Sequence, residues 1–286
     1  MTEIQRVGVV GAGQMGLGIA EVSARAGLDV VLTDVSEEAA KAGRSRIWKS
    51  LNRAVQKQKI SEADRDAAQE RIRCTTSLAE LHDRGLVIEA VAENEEVKAK
   101  VFTELDQVVG DPEAILASNT SSIPIAKLAS ATKRPAQVIG IHFFNPVPVL
   151  KLVEVVPSLL TGEQTTQRAT DFAADRLGKE AIRAQDRAGF VVNALLVPYL
   201  LSAIRMVDNG VASAEDIDNG MELGCAHPMG PLRLADMVGL DTVKAIADSM
   251  HAEYKDPGYA APPLLQRMVD ANLLGKKSGN GFYEYG

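Results

Sequence analysis

One stretch near the start limits what this chain can fold into more than any other. An apolar run, Val7-Gly8-Val9-Val10, leads into Gly11-Ala12-Gly13-Gln14-Met15-Gly16, a G-x-G-x-x-G pattern. An alanine-rich segment from Met15 to Ala26 follows and reads as a helix; Asp29 to Thr33 then reads as a second strand. In such a βαβ unit Gly11 permits the tight turn, Gly13 lets the backbone approach a pyrophosphate, and Gly16 lets the helix pack on the strand. The helix N-terminus, at Gln14 and Met15, offers N–H groups and a positive dipole end to the phosphates. Asp34 ends the second strand eighteen residues after Gly16. A carboxylate there accepts hydrogen bonds from both ribose hydroxyls and repels a 2′-phosphate. No arginine stands beside it, the next cation being Lys41, so the expected cofactor is NAD rather than NADP. The alternative is a structural glycine turn with a capping aspartate; strand, glycines, helix and acid in register weigh against it.

The rest of the 286 residues suits two domains. Leu86 to Ala92, Ala114 to Ala117 and Val138 to Ile141 are apolar runs without polar alternation, as in parallel strands buried on both faces. Strands alternating with helices predict an α/β, Rossmann-type doubly wound sheet. Ser36 to Arg73 is too long for a plain crossover. Ile47, Leu51 and Val55 recur every fourth residue and Ser61 opens a second helical stretch, so a projecting helical hairpin is expected over about 36–73. Beyond Pro157 helices dominate: Glu163 to Leu177, then, after a hinge-like Asp186-Arg187-Ala188-Gly189, Phe190 to Asn209, Ser213 to Leu223, Gly230 to Glu253 and Pro263 to Asn272. The expected division is a dinucleotide-binding domain over 1–187 and an all-helical domain over 188–286.

Charge and composition exclude several classes. A net charge of −7 argues against nucleic-acid binding. The most apolar segment, Phe190 to Ile204, is interrupted by Asn193 and Pro198 and falls short of a membrane span. The first residues lack the cationic start and apolar run of a secretory signal. Two cysteines, Cys74 and Cys225, do not form a disulfide framework, and a cytoplasmic protein is expected. Cys225 with His227 makes two ligands, short of a metal site. Gly275-Lys276-Lys277-Ser278 is not a phosphate-binding P-loop, because Asp270 occupies the required upstream glycine position and no strand precedes it.

Open α/β sheets bind ligands beyond the carboxyl ends of their strands. Those positions hold Glu93, then Ser118-Asn119-Thr120-Ser121-Ser122, then His142-Phe143-Phe144-Asn145-Pro146. Removing hydride from an alcohol requires a base for the hydroxyl proton, and imidazole suits neutral pH. Of four histidines, His82 lies in a charged segment, His227 in a loop and His251 near a helix end; only His142 ends a strand. It is either that base or a satisfied structural histidine. Glu154, within the apolar strand Leu152-Val153-Glu154-Val155-Val156, is costly to bury unpaired. A bond to His142 would orient the imidazole. Pairing with Lys151 or an arginine, or exposure to solvent, is the alternative.

These segments, with Gly189-Phe190-Val191-Val192-Asn193, His227-Pro228-Met229-Gly230-Pro231 and Gly275-Lys276-Lys277-Ser278-Gly279-Asn280-Gly281-Phe282-Tyr283, resemble the L-3-hydroxyacyl-CoA dehydrogenases over essentially the whole chain. The run around His142 is the specific part. The short single-function 3-hydroxybutyryl-CoA dehydrogenases are the nearest subgroup. The resemblance implies a catalytic base at His142 with Glu154 as its partner, and Ser121 and Asn193 near the reacting oxygens. It implies cofactor contacts at Asp34, Glu93, Lys98, Asn119, Asn145 and Lys277 besides the Gly11–Gly16 loop, and an acyl-CoA substrate. Asn193 stands one residue later than a count from His142 gives, which an extra residue near 157–162 explains.

A run of seven cations without an acid, Lys41 to Lys59, then has a use. Arg46, Lys49, Arg53 and Lys57 cluster on one surface of the hairpin helix, where they are placed to meet the phosphates of coenzyme A; a plain solvated basic face is the alternative. The resemblance also implies a homodimer through the helical domain. Two other functions stay open on the residues alone: a dehydrogenase of free hydroxy acids or sugar acids, and a non-catalytic NAD-binding structural protein.

Overall fold

The computed structural model describes residues 3–286. They form two compact units that divide between Asp186 and Arg187.

The first unit is built on an eight-stranded sheet. Strands β1 (Arg6–Val10), β2 (Asp29–Thr33), β3 (Ile72–Thr75), β4 (Leu86–Glu89), β5 (Ile115–Ser118), β6 (Val138–Phe143), β7 (Leu152–Val156) and β8 (Glu180–Arg183) lie in the order β3-β2-β1-β4-β5-β6-β7-β8. Neighbours pair parallel except β6 with β7, which run antiparallel. The unbroken apolar runs are central strands, with β4, β5 and β6 buried along their full length. Helices α1 (Gln14–Arg25), α4 (Glu95–Val108), α5 (Ile125–Ser130) and α6 (Glu163–Asp171) complete the layers. The chain order reverses between β1 and β4. That is the switch point at which such sheets bind ligands.

Four features of this unit differ from the sequence reading. The strand expected to reach Ala92 stops at Glu89, because the Glu89 carboxylate accepts from the Val91 N–H at 2.7 Å and turns the chain. Strands β3 and β8 were not anticipated; both are four-residue edge strands carrying polar residues. The helix expected over Glu163 to Leu177 is α6 continued by a π-type turn, Phe172–Arg176, that buries Phe172 and Ala173. The hairpin consists of α2 (Glu37–Gln56) and α3 (Glu62–Glu70), and its last expected residues belong to β3 instead. Ser36 caps α2, and Ser61 with Asp64 forms a reciprocal capping box on α3, each satisfying otherwise unpaired N–H groups. The inner face of the hairpin joins the sheet domain's core through Ile47, Leu51 and Ala68.

The second unit is all helical: α7 (Val192–Asp208), α8 (Ala214–Cys225), α9 (Pro231–Val238), α10 (Leu240–Tyr254) and α11 (Pro263–Asp270). The single helix expected over Gly230 to Glu253 is broken into α9 and α10 at Gly239, whose φ of 100° no helix accommodates. Buried Asp218 accepts from the Leu232 and Arg233 N–H groups and from the Tyr283 hydroxyl. Buried Asp236 accepts from the Phe282 and Tyr283 N–H groups and the Tyr285 hydroxyl. The two carboxylates clasp the C-terminal tail onto α8 and α9.

Candidate active site

Gly11 has φ +106°, and its position lies against the Ala90 carbonyl, where a side chain has no room. Gly13 faces open space, and a Cβ at Gly16 would overlap the Gly11 carbonyl oxygen. The first turn of α1 has no side-chain cap, so its N–H groups remain for an anion. One oxygen of Asp34 accepts from the Ala12 N–H at 2.6 Å and the other from the Val35 N–H at 2.8 Å. The acid at the end of β2 therefore also fixes the glycine loop. Gln14 donates to Asn145 Oδ1 at 3.0 Å, joining the loop to the segment beyond β6, while Met15 packs on the core. This cradle fits a dinucleotide: an uncapped helix N-terminus, an open approach at Gly13, and a carboxylate at the end of β2.

At the far strand ends the antiparallel register sets His142 directly opposite Glu154. His142 Nδ1 lies 2.7 Å from Glu154 Oε2. Glu154 is fully buried and His142 is 6% exposed, so water does not compete for either group. Directly paired residues of antiparallel strands share a face, which is why this acid meets the imidazole rather than Lys151. The Phe144 ring tilts over the imidazole at 4.6 Å. Asn119 Oδ1 accepts from the Phe143 N–H at 2.9 Å, locking the end of β5 to the residue after the histidine.

Glu93 gathers the turn after β5. Its Oε1 accepts from the hydroxyls of Thr120 (2.5 Å) and Ser122 (2.9 Å) and from the N–H groups of Ser121 (3.0 Å) and Ser122 (3.2 Å). The Ser121 hydroxyl is at 3.4 Å. Burial works to raise the Glu93 carboxyl's pKa, but the Lys98 ammonium and these hydrogen bonds outweigh it and hold the group below the usual carboxylate range. Lys98 is itself buried and bonds to Glu89. Sequence reasoning missed Glu89. The available signal was the one that singled out Glu154, a charge inside an apolar strand.

Asn193 and Lys277 belong to the second unit. Asn193 is buried in the first turn of α7. The Lys277 ammonium is paired with the Asp241 carboxylate at 2.5 Å. On α2, Arg46, Lys49 and Arg53 are exposed, as is Lys57 just beyond it, and none of the four has an ion-pair partner among the described residues. Lys41 bonds to Glu37, and the Arg44 guanidinium lies 5.9 Å from the centre of the Trp48 ring. Among the described residues no group of acids, histidines and cysteines could hold a metal ion, and no helix is long and apolar enough to cross a membrane.

Fold and cradle together define a nicotinamide-dinucleotide-binding protein of the doubly wound class with an appended helical domain. Residues 6–187 match the family model for the NAD-binding domain of 3-hydroxyacyl-CoA dehydrogenase, and residues 189–285 match that for its C-terminal domain. The chain belongs to the 3-hydroxyacyl-CoA dehydrogenase family. It is 62% identical over 282 residues to a 3-hydroxybutyryl-CoA dehydrogenase of Mycobacterium tuberculosis, with 99% of each chain covered. The crystal structure of M. tuberculosis FadB2 superposes with a TM-score of 0.98 at 61% identity over the whole of both chains. That of (S)-3-hydroxybutyryl-CoA dehydrogenase from Ralstonia eutropha gives 0.93 at 45% identity, covering 99% of this chain and 100% of the other.

Proposed function

We propose that this protein catalyses the reversible, NAD-dependent oxidation of (S)-3-hydroxyacyl-CoA to 3-ketoacyl-CoA, with 3-hydroxybutyryl-CoA and acetoacetyl-CoA as the substrate pair. The observation that carries the mechanism is the buried His142–Glu154 contact at the carboxyl end of β6. NAD, when bound, supplies the acceptor for the hydride that leaves C3. His142 takes the hydroxyl proton on Nε2, because Nδ1 is committed to Glu154. Glu154 stabilises the imidazolium that forms and holds the ring in the one tautomer able to accept a proton at Nε2. In the reverse direction the imidazolium returns the proton to the carbonyl oxygen. Ser121 and Asn193 are assigned to the substrate oxygens, and Gly11 to Gly16, Asp34, Glu93, Lys98, Asn119, Asn145 and Lys277 to the cofactor. Lys49, Arg53 and Lys57, with Arg46, are assigned to the coenzyme A phosphates, which their exposure and freedom from ion pairs support.

The test is NADH oxidation with acetoacetyl-CoA by the wild-type enzyme and by His142→Gln. A general base contributes about 10²–10⁴-fold, so kcat falls by that factor while NADH binding persists. Near-normal turnover in the variant removes His142 from the mechanism. We also propose a homodimer through the helical unit, whose helix α7 exposes Leu195 at 75% and Met206 at 40%. A monomer by sedimentation at micromolar concentration overturns this.

A further inference from the structure

Glu89 and Lys98 are among the most thoroughly buried charges in the molecule, at 0% and 1% exposure. A buried ion pair is a poor way to stabilise a fold, since well-packed apolar residues of the same volume do as well or better. This pair does not sit mid-core. It lies at the carboxyl edge of the sheet, beneath the two loops that carry Glu93 and Ser121.

The contacts form a closed ring. Glu89 Oε1 accepts from the Lys98 ammonium at 2.6 Å and from the Val91 N–H at 2.7 Å. Lys98 also forms an ion pair with Glu93 Oε2 at 3.3 Å and donates to the Val91 carbonyl at 3.4 Å. Glu93 Oε1 accepts from the Thr120 hydroxyl at 2.5 Å. The Thr120 N–H donates to Ser118 Oγ at 3.2 Å, and the Ser118 hydroxyl donates back to Glu89 Oε2 at 2.7 Å. The parallel register pairs Glu89 with Ser118 directly, which closes the circuit across β4 and β5. Lys98 thereby acts on Glu93 as a charged strut between two acids.

We propose that Glu89 is a positioning residue: through Lys98 it sets Glu93, and through Ser118 it sets the Thr120–Ser122 turn. The inference rests on the dehydrogenase reading, in which Glu93 faces the cofactor and Ser121 the substrate. Only an ionised carboxylate satisfies the ring, because Lys98, Val91 N–H and Ser118 all donate to it. A glutamine amide presents a donor on one side and leaves Lys98 compensated by Glu93 alone, drawing the two together and loosening both loops.

Three variants separate positioning from packing. Glu89→Gln raises the Kd for NADH, read by fluorescence titration, about tenfold. The double variant Glu89→Leu/Lys98→Met replaces the charges with apolar volume; it melts near the wild-type temperature yet keeps a Kd raised at least fivefold. Ser118→Ala, which deletes one hydroxyl and tests the other arm, raises KM for acetoacetyl-CoA three- to tenfold and leaves the NADH Kd within twofold. Glu89→Gln or the double variant binding NADH with the wild-type Kd overturns the Lys98 arm. A folded Ser118→Ala enzyme with wild-type KM overturns the Ser118 arm. A wild-type protein without turnover on acyl-CoA overturns the dehydrogenase reading instead, and the NADH titrations still score Glu89.

Discussion

Replacing Glu154 with glutamine isolates what the buried carboxylate does for His142. The side chains meet at 2.7 Å with Glu154 fully buried. If, as proposed, His142 takes the substrate proton, the new positive charge sits about 4 Å from the centre of the carboxylate, which is worth about 4 kcal/mol at an effective dielectric of 20. A glutamine oxygen facing Nδ1 recovers a neutral hydrogen bond of about 1 kcal/mol. The net loss of about 3 kcal/mol falls on the charged state alone, and at 1.36 kcal/mol per decade it lowers kcat about 10²-fold. The variant keeps the shape of β7 and removes the cost of burying a charge, so it folds. The assay is steady-state oxidation of NADH with acetoacetyl-CoA, with NADH binding by fluorescence and melting temperature as controls. The expected result is a kcat reduced about a hundredfold with an NADH Kd within twofold of wild type. A kcat within twofold of wild type in a normally folded variant refutes the reasoning. A parallel rise in NADH Kd refutes it too, by showing that Glu154 acts on the cofactor.

Three further outcomes follow from the geometry. Gly13→Ala meets no atom, so it melts like wild type but loses NADH affinity as its methyl enters the pyrophosphate's approach; Gly16→Ala must displace the Gly11 carbonyl and loses about 3 kcal/mol of stability in chemical denaturation. Lys49→Ala with Arg53→Ala removes two exposed contacts of about 0.2–1 kcal/mol each, raising KM for acyl-CoA about two- to thirtyfold at low salt, less at high salt, and leaving KM for NADH unchanged. Burial and the Asp236 carboxylate push the Tyr285 hydroxyl up to about 12. The unfolded chain releases that proton near pH 10, so the tail's stability is intact below pH 10 and is lost as pH rises toward 12. Limited proteolysis of the tail across that range checks this, and Tyr285→Phe flattens the dependence.

The sheet domain was legible because its central strands are apolar without alternation and its glycine loop sits in the right context. The edge strands β3 and β8 were not. A strand such as Ile72-Arg73-Cys74-Thr75 has one buried residue, and it exists because β2 offers it a ladder, which is a tertiary fact. The break at Gly239 was likewise hidden. A glycine inside a long helical pattern is ordinarily tolerated, and only the positive φ in the folded chain ends α9 there. Asp34 was readable as an acid at a strand end, whereas its second task of holding the Ala12 N–H depends on the closed loop. The cations of α2 were readable as an exposed stripe, and their exposure leaves open to the eye only that an anion would be welcome there.

Two acids in apolar strands show where composition stops and register begins. Glu154 and Glu89 carry the same signal, a carboxylate among buried aliphatics, and burial forces a partner on each. Which partner is decided by pairing across the sheet. The antiparallel ladder of β6 and β7 matches His142 to Glu154, with Ile141 to Val155 and Phe143 to Val153 on either side. Sliding β7 by one residue would turn Glu154 to the opposite face and set a valine against the imidazole. The parallel ladder of β4 and β5 matches Glu89 to Ser118, leaving its other oxygen for Lys98 from the helix above. By the proposals above, one acid orients a base and the other orients two loops. Their separate tasks follow from the direction of the neighbouring strand, which is why the first could be anticipated from a histidine twelve residues away and the second could not.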